Sequence, residues 1–129
     1  MIFHQRIKLP YRYTAGEMNT RFLQALAEGA ILGARCGSCS MTVVPARPFC
    51  PGCSSSLHDL VSVADEGVVT SYTIDAQGRV IGLIRLDGAD THFPHILDTD
   101  SPRIGMRVRA RWAEDRHPEI TAIEAFVGA

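Results

Sequence analysis

The sequence lacks an excess of charge of either sign. Its 129 residues include 13 basic and 14 acidic ones, which gives a formal net charge of −1 and a pI of about 6.5. A nucleic-acid-binding module usually carries a clear basic excess, so this balance argues against one. Lysine is almost missing, since Lys8 is the single lysine and all other basic residues are arginine.

The sequence also lacks an apolar run long enough to cross a bilayer. Its first 16 residues, MIFHQRIKLPYRYTAG, do not contain the uninterrupted apolar core of a signal peptide. We therefore expect a cytoplasmic protein without a membrane span, in which thiols stay reduced and disulfides are rare. Because 46% of its residues are hydrophobic, the chain can form one packed domain with a small appended module.

No catalytic constellation stands out along the chain. Gly82 and Gly88 are isolated glycines rather than parts of a phosphate-binding loop. His92 and His95 could ligate a metal or transfer protons, but such residues are more often solvated side chains of loops or edge strands. We therefore expect a protein that is not catalytic alone.

All four cysteines lie in residues 36–53, which read CGSCSMTVVPARPFCPGC. They form two Cys-x2-Cys pairs, Cys36 with Cys39 and Cys50 with Cys53. A thioredoxin-type redox pair needs a strand-to-helix junction, whereas these pairs lie between short strands and proline-rich turns. Two such pairs supply four thiolates that can close a tetrahedron around one metal ion.

We expect this metal to be zinc, since a closed four-cysteine site is the usual structural zinc site. A rubredoxin-like iron site uses the same ligands, so iron fits the pattern as well. Four protein sulfurs leave no position open for water, which predicts a structural rather than a catalytic metal. Its expected role is to fold a segment that has almost no core of its own.

One amphipathic helix is predicted ahead of the cysteines, and residues 1–14 before it are predicted to form an extended arm. Met18, Phe22 and Leu26 recur at four-residue spacing, and Gly29 is a natural stop. Residues 14–17 fit a capping box with Thr14 at the cap, although the helix could also begin at residue 19 or 20. The apolar stripe either packs on its own domain or forms a docking surface, and the sequence favours neither.

Strands dominate the rest of the chain. Short strands are predicted over residues 31–35 and 41–45, beside the two cysteine pairs. From residue 57 onward the apolar pattern has a period of two, with turn signals between the runs. Five or six short strands joined by tight turns predict a small closed barrel and a mainly β fold. The runs cover residues 57–63, 68–74, 79–86, 91–97, 107–114 and 120–127.

The order of helix, four-cysteine ribbon and barrel resembles the DUF35 family over roughly residues 20–127. Residues 22–35, which lead into Cys36, resemble the family's helix-Gly-strand segment. Residues 45–53, PARPFCPGC, resemble its Pro-x-Arg-Pro-x-Cys-Pro-x-Cys motif. Residues 67–73 and 104–108 resemble its two barrel signatures.

The resemblance implies an N-terminal arm and helix, a rubredoxin-like zinc ribbon and an OB-fold barrel, which we place at residues 1–30, 31–56 and 57–129. Family members are usually non-catalytic or assisting subunits of acyl-CoA enzymes: thiolase-like proteins, hydroxymethylglutaryl-CoA synthase, lipid-transfer-type aldolases and hot-dog hydratases. It thus implies an accessory subunit in a hetero-oligomer, with a thiolase-like partner foremost and a CoA thioester as candidate ligand. The alternative is an OB-fold nucleic-acid binder, although Tyr72 and Phe93 offer only a thin stacking platform.

Two departures from the family pattern have physical consequences. The family often has glycine after the second cysteine of each pair, where this chain has Ser40 and Ser54. A serine there must adopt a strained backbone or a different turn, at a cost of about 1 kcal/mol. The family also often has a long proline-rich loop between the first two barrel strands, where residues 75–78 predict a tight turn.

Arginines are the candidate contacts for a ligand or a partner. The run of residues 107–112 alternates, so that Arg107, Arg109 and Arg111 share one face, which could meet the phosphates of CoA or acidic residues of a partner. The more ordinary interpretation is an exposed strand face kept soluble by charge. Arg35 and Arg47 flank the ribbon and could serve the same purpose.

Overall fold

The computed structural model describes residues 16–129, and the predicted arm at residues 1–14 lies outside them. Within the described part, one helix precedes eight strands, and a short 3-10 helix comes directly before the last strand. No helix in this part of the chain is both long and apolar enough to cross a membrane. The elements are α1 (Glu17–Ala27), β1 (Ile31–Arg35), β2 (Thr42–Val43), β3 (Asp59–Val63), β4 (Glu66–Ile74), β5 (Val80–Leu86), β6 (Phe93–Leu97), β7 (Arg107–Trp112), η1 (Ile120–Ala122) and β8 (Ile123–Gly128).

Helix α1 packs its apolar stripe against its own domain. Phe22 and Leu26 are buried, and Met18 and Leu23 pack against the same core from the edges of the stripe. The ring of Phe22 lies edge-on to that of Phe93 in β6, with 6.3 Å between the centroids. Of the two interpretations of the stripe, packing on its own domain is therefore the one that the structure adopts.

The end of α1 lies where the sequence predicts it, but its beginning does not. Gly29 follows the helix with φ of +81°, a left-handed conformation that glycine adopts without steric penalty. Gly16 rather than Thr14 occupies the N-cap position, so the predicted capping box does not begin the helix, and Thr14 lies outside the described residues.

The ribbon contains a three-stranded antiparallel sheet in the order β2-β1-β3. The run at residues 57–63 was predicted as a barrel strand, but β3 pairs with β1 along its whole length, from Ile31 opposite Val63 to Arg35 opposite Asp59. Because β2 is two residues long, it pairs with only the last two residues of β1, and β3 supports the other edge. Alternation shows that a run is a strand, but it does not show which strand it pairs with.

Strands β4 to β8 form the predicted closed barrel, in the order β4-β5-β6-β8-β7 and back to β4. All neighbouring pairs are antiparallel except β6 with β8, which is parallel. A small five-stranded barrel of this kind is an OB-fold. The predicted run at residues 120–127 is a strand only from Ile123, because η1 occupies its first three residues.

The turn between β4 and β5 is as tight as the sequence predicts. The N–H of Asp75 donates to the carbonyl of Arg79 at 2.9 Å, and Gly78 has φ of +83°. The Asp75 carboxylate accepts the N–H groups of Gln77 and Arg79 at 3.0 and 2.8 Å. Hydrogen bonding from Arg79 lowers the pKa of Asp75, which indicates that its charged form is part of the turn.

The ribbon is fastened to the barrel by four hydrogen bonds, which we call the ribbon–barrel clasp. The N–H of Thr42 donates to Asp90 Oδ2 at 2.8 Å, and the N–H of Asp90 donates back to the carbonyl of Thr42 at 2.9 Å. Thr91 Oγ1 accepts the N–H of Val44 at 2.8 Å and donates to the carbonyl of Val44 at 2.9 Å. One continuous core cluster extends across the same junction, so ribbon and barrel pack as one body.

The backbone of β5 lies so close to Gly67 in β4 that there is no room for a side chain at this position. A Cβ atom at this position would collide with the backbone carbonyl of Arg85 and would lie 2.8 Å from Leu86 Cα. Since backbone cannot move aside as a flexible side chain can, we expect Gly67→Ala to lower the free energy of unfolding by roughly 1–3 kcal/mol. Urea denaturation followed by circular dichroism measures this loss.

Gly128→Ala is the matched control, because Gly128 also lies in a barrel strand and its Cβ would have no neighbour within 4 Å. We expect this variant to change the free energy of unfolding by less than about 0.5 kcal/mol. If the two substitutions lower the free energy of unfolding equally, the close backbone approach at Gly67 is not the cause of the loss.

Candidate metal centre

The first cysteine pair lies in a tight hydrogen-bonded loop, residues 36–41, which we call knuckle 1. It follows directly after β1. The N–H of Cys36 donates to the carbonyl of Met41 at 2.8 Å, and the carbonyl of Cys36 accepts the N–H of Ser40 at 2.9 Å. These two bonds turn the chain so that Cys39 comes back toward Cys36.

The second pair lies in knuckle 2, residues 50–55, which repeats the same pattern. The N–H of Cys50 donates to the carbonyl of Ser55 at 2.9 Å, and the carbonyl of Cys50 accepts the N–H of Ser54 at 2.9 Å. Phe49 and Ser56 form an isolated antiparallel bridge just outside it, which brings the two ends of the loop together. The two knuckles are thus built alike and face each other.

Ser40 and Ser54 adopt the strained backbone that the departure from glycine predicts. Their φ angles are +63° and +64°, and they are the two non-glycine residues with positive φ among residues 16–129. The left-handed conformation redirects the chain after each serine, so that the carbonyl of the next residue, Met41 or Ser55, returns to the N–H of the first cysteine in the knuckle. Each site therefore carries a conformational cost of roughly 1–2 kcal/mol that glycine would avoid.

The structure brings all four sulfur atoms together, within 4.8 Å of one another. Cys36 Sγ lies 3.5 Å from Cys53 Sγ, and Cys39 Sγ lies 3.6 Å from Cys50 Sγ. These distances are far longer than the roughly 2.05 Å of a disulfide. They fit a tetrahedron of thiolates, whose sulfurs are roughly 3.8 Å apart when each metal–sulfur bond is about 2.3 Å.

The electrostatics of the cluster also favour a cation at its centre. Hydrogen bonding with Ser55 lowers the pKa of Cys53 to about 6. At Cys39 the Met41 backbone acts in the same direction, but the Cys50 and other neighbouring thiols outweigh it and raise its pKa to about 12. Four sulfurs this close cannot all ionise together unless a positive ion offsets their charge. The donor set therefore fits a metal ion bound by four thiolates.

The two candidate histidines do not form a second metal site. The four cysteines are the one group of three or more such ligands that residues 16–129 bring together. His92 is exposed, whereas the His95 ring accepts the N–H of Ile96 at Nδ1, 2.8 Å away, and places Nε2 3.4 Å from the carbonyl of Ile120. Burial lowers the pKa of His95, so its neutral form is favoured.

The predicted arginine row is exposed, and two of its members are paired with carboxylates of the same chain. Arg107 forms a bidentate pair with Asp87, at 2.8 and 2.6 Å. Arg111 donates to Asp98 at 2.7 Å and to Glu124 at 3.0 Å. Hydrogen bonding to these carboxylates raises the pKa of both arginines, which reflects charge that the protein already neutralises.

Three other candidate arginines are not paired in this way. Arg109 has no ion pair with any carboxylate of residues 16–129, and the same holds for Arg35 and Arg47 in that part of the chain. All three side chains are exposed. The structure therefore leaves one arginine of the barrel row and the two beside the ribbon available to an external anion.

Residues 16–129 do not form the aromatic stacking surface that a nucleic-acid-binding OB-fold would need. Phe93 is 3% exposed and packs edge-on against Phe22 and Phe126 in the core. Tyr72 of β4 is 39% exposed, and the exposed large hydrophobic side chains of β5 and β6 are Leu83 and Ile96, which are aliphatic. Nucleic-acid-binding OB-folds stack bases on aromatic rings, so this face offers little to a single strand.

Sequence reasoning missed a groove of about 490 Å³ between the start of α1 and knuckle 2. Met18 and Arg21 line it on the helix side, and Pro48, Phe49 and Leu57 line it on the ribbon side. Phe49 is 60% exposed, which is unusual for a phenylalanine beside a partly apolar groove. Its position in the PARPFC segment was visible in the sequence, but its exposure depends on how the helix packs.

Comparison with known proteins gives a family match and two solved structures. The family model described as "ChsH2, rubredoxin-like zinc ribbon domain" matches residues 23–59. A DUF35-family protein of unknown function from Sulfolobus solfataricus has 22% identity and a TM-score of 0.71, covering 88% of this chain and 87% of its own. A structure named Ltp2-ChsH2(DUF35) aldolase has 25% identity and a TM-score of 0.66, covering 91% of this chain and 98% of its own. No curated protein sequence matches the chain.

The knuckles, the three-stranded sheet and the barrel together define a zinc-ribbon protein with an OB-fold barrel. The ribbon matches the family model over residues 23–59, and the fold as a whole is similar to that of two structures described as DUF35 proteins. These findings support the resemblance to the DUF35 family that the motifs indicated, and they confirm the predicted fold.

Metal removal is expected to act on the ribbon and not on the barrel. The knuckles are largely exposed and depend on sulfur–metal bonds, whereas the barrel has its own buried residues. We expect a chelator to disorder residues 31–56, most strongly in the two knuckles, while β4 to β8 keep their structure. Hydrogen exchange with and without chelator measures this, and loss of protection throughout the barrel would contradict it.

Ser40→Gly and Ser54→Gly should each stabilise the metal-bound protein. Glycine relieves the left-handed strain but adds freedom to the unfolded chain, so we expect a net gain of roughly 0.5 kcal/mol at each site. Denaturation of the metal-loaded protein measures it. Ser56→Gly is the control, since Ser56 does not have a positive φ and should only lose stability. A loss at residues 40 and 54 as large as that at residue 56 would refute the strain argument.

Proposed function

We propose that the protein is a non-catalytic accessory subunit of an acyl-CoA-processing enzyme complex, with a structural zinc ion held by Cys36, Cys39, Cys50 and Cys53. The observation that carries the proposal is the similarity to the Ltp2-ChsH2(DUF35) aldolase, which covers 98% of that chain. Because nearly the whole of the similar chain is matched, the comparison concerns the complete DUF35 unit and not one isolated module.

The metal centre supports a structural rather than a chemical role. Four sulfurs within 4.8 Å supply all the ligands that zinc takes in a closed site, so no position remains for water or substrate. Cys36 and Cys50 are buried at the base of the knuckles, where a bound ion would tie the two loops to the sheet. Zinc rather than iron is the metal expected for a ribbon of this family, and elemental analysis should find one zinc per chain.

The partner is expected to be an acyl-CoA enzyme, thiolase-like or aldolase-like, because DUF35 relatives usually assist enzymes of this class. We assign its contact to the ribbon surface around Arg47 and Phe49, which is exposed and lies beside the groove along α1. Arginine and aromatic side chains are the types that contribute most to protein interfaces. Arg35 at the end of β1, and Arg109 on the barrel, are candidate contacts for the phosphates of a CoA thioester.

The test is co-expression with a thiolase-like or aldolase-like enzyme encoded beside the gene, followed by affinity capture and measurement of the dissociation constant. We expect a stable complex, and we expect the double variant Arg47→Ala/Phe49→Ser to weaken it at least tenfold. Arg103→Ala/Ile104→Ser is the matched control, since it removes an exposed arginine and an exposed aliphatic residue from the loop before β7.

Binding to single-stranded oligonucleotides separates this proposal from the alternative. A nucleic-acid binder would show an affinity that falls steeply between 50 and 200 mM salt, on the order of 10³-fold or more for several phosphate contacts. We expect no such binding in fluorescence anisotropy. Tight, salt-dependent oligonucleotide binding together with failure to capture any acyl-CoA enzyme would refute the proposed function.

A further inference from the structure

A chain of hydroxyl groups joins one exposed sulfur of the metal centre to the opposite knuckle. Ser55 Oγ lies 3.3 Å from Cys53 Sγ and 3.2 Å from Ser38 Oγ. Ser55 belongs to knuckle 2 and Ser38 to knuckle 1, so the chain spans the two loops. A hydroxyl proton can rotate, and when Cys53 is a metal-bound thiolate, Ser55 donates to the sulfur and Ser38 donates to Ser55.

The other exposed sulfur has no equivalent of this arrangement. The knuckles repeat the same backbone bonds, and the position in knuckle 1 that corresponds to Ser55 is Met41. A methionine side chain cannot donate a hydrogen bond. Cys39 Sγ lies 3.6 Å from the sulfur of Cys50 and is hydrogen-bonded by the Met41 backbone, as Cys53 is by the Ser55 backbone. The two sulfurs therefore differ by the Ser55 hydroxyl. Cys39 and Cys53 are both exposed, so a small reagent can reach either residue from solvent.

We propose that Ser55, supported by Ser38, is a positioning residue that shields the Cys53 thiolate, and that Cys39 is therefore the ligand of the metal-bound centre that electrophiles modify first. A hydrogen bond to a thiolate draws charge away from the sulfur and lowers its nucleophilicity. A hydrogen bond to a charged group is strong enough to change the rate of alkylation about tenfold. The inference requires a metal in the four-cysteine site, and it is independent of the partner enzyme.

The probe reaction is alkylation with iodoacetamide. The attacking thiolate sulfur forms a bond to the methylene carbon, the carbon–iodine bond breaks, and iodide leaves with the electron pair. The product is a neutral thioether, which is a poorer ligand, so the first alkylation also loosens the metal. Modification of Cys39 is therefore expected to open the centre and to expose the remaining cysteines to slower, later labelling.

The experiment uses the full-length, zinc-loaded protein with less than one equivalent of iodoacetamide, and peptide mass spectrometry follows each cysteine with time. We expect Cys39 to be labelled about ten times faster than Cys53. Ser55→Ala should bring the rate at Cys53 close to that at Cys39 and leave Cys39 unchanged, and Ser38→Ala should act in the same direction with a smaller effect. Ser55→Thr keeps the hydroxyl and should restore the difference.

Ser56→Ala is the control, because Ser56 is adjacent to Ser55 and takes no part in the hydroxyl chain. Zinc content, measured with a chromogenic chelator before alkylation, shows that each variant is loaded. If Ser55→Ala does not hold zinc, the comparison of Ser38→Ala with the unmodified protein decides the matter. Equal initial rates at Cys39 and Cys53 in the unmodified protein, or an unchanged ratio in the loaded Ser55 and Ser38 variants, would overturn the proposal.

Discussion

The packing around Phe93 connects the parts of this protein to one another. Its ring lies edge-on to Phe22 of α1 and to Phe126 of β8, with 6.3 Å between the centroids in both pairs. Apolar burial supplies most of the driving force for folding, so one shared core commits helix, ribbon and barrel to a single arrangement. The ribbon–barrel clasp adds direction to this packing, because the hydrogen bonds of Thr42 and Val44 with Asp90 and Thr91 form in one orientation only.

The tips of the ribbon are not stabilised by apolar burial. Knuckles 1 and 2 extend beyond the shared core, apart from Cys36 and Cys50 at their bases, and they include two serines in a strained backbone conformation. What holds them together is the affinity of four thiolates for a cation, which far exceeds the cost of two strained residues. One part of the molecule is therefore stabilised by burial and the other by ligand chemistry, and the two meet at the sheet formed by β1, β2 and β3.

This division is consistent with a protein that acts by presenting a surface. The four-sulfur site leaves no open coordination position for water or substrate, and Arg107 and Arg111 are neutralised by the protein's own carboxylates. Within residues 16–129, the features open to another molecule include the ribbon around Phe49, the groove beside it and a few unpaired arginines. Because the clasp fixes the ribbon relative to the barrel, a partner would meet both as one rigid shape.

The sequence by itself determined what local rules control: one amphipathic helix ending before Gly29, though not its first residue, the strands to within a few residues, the tight turn at residues 75–78 and the four-sulfur site. Cysteine spacing sets which sulfurs can reach one ion. The serines at residues 40 and 54 predicted either a strained backbone or a different turn, and the structure has the strained backbone. Tertiary structure alone decided that β3 joins the ribbon sheet, that Phe93 is buried, and that Asp87, Asp98 and Glu124 neutralise two of the three arginines in the row. These outcomes depend on contacts between residues far apart in the chain, and no local pattern of apolar or charged residues encodes which distant partner a side chain will meet.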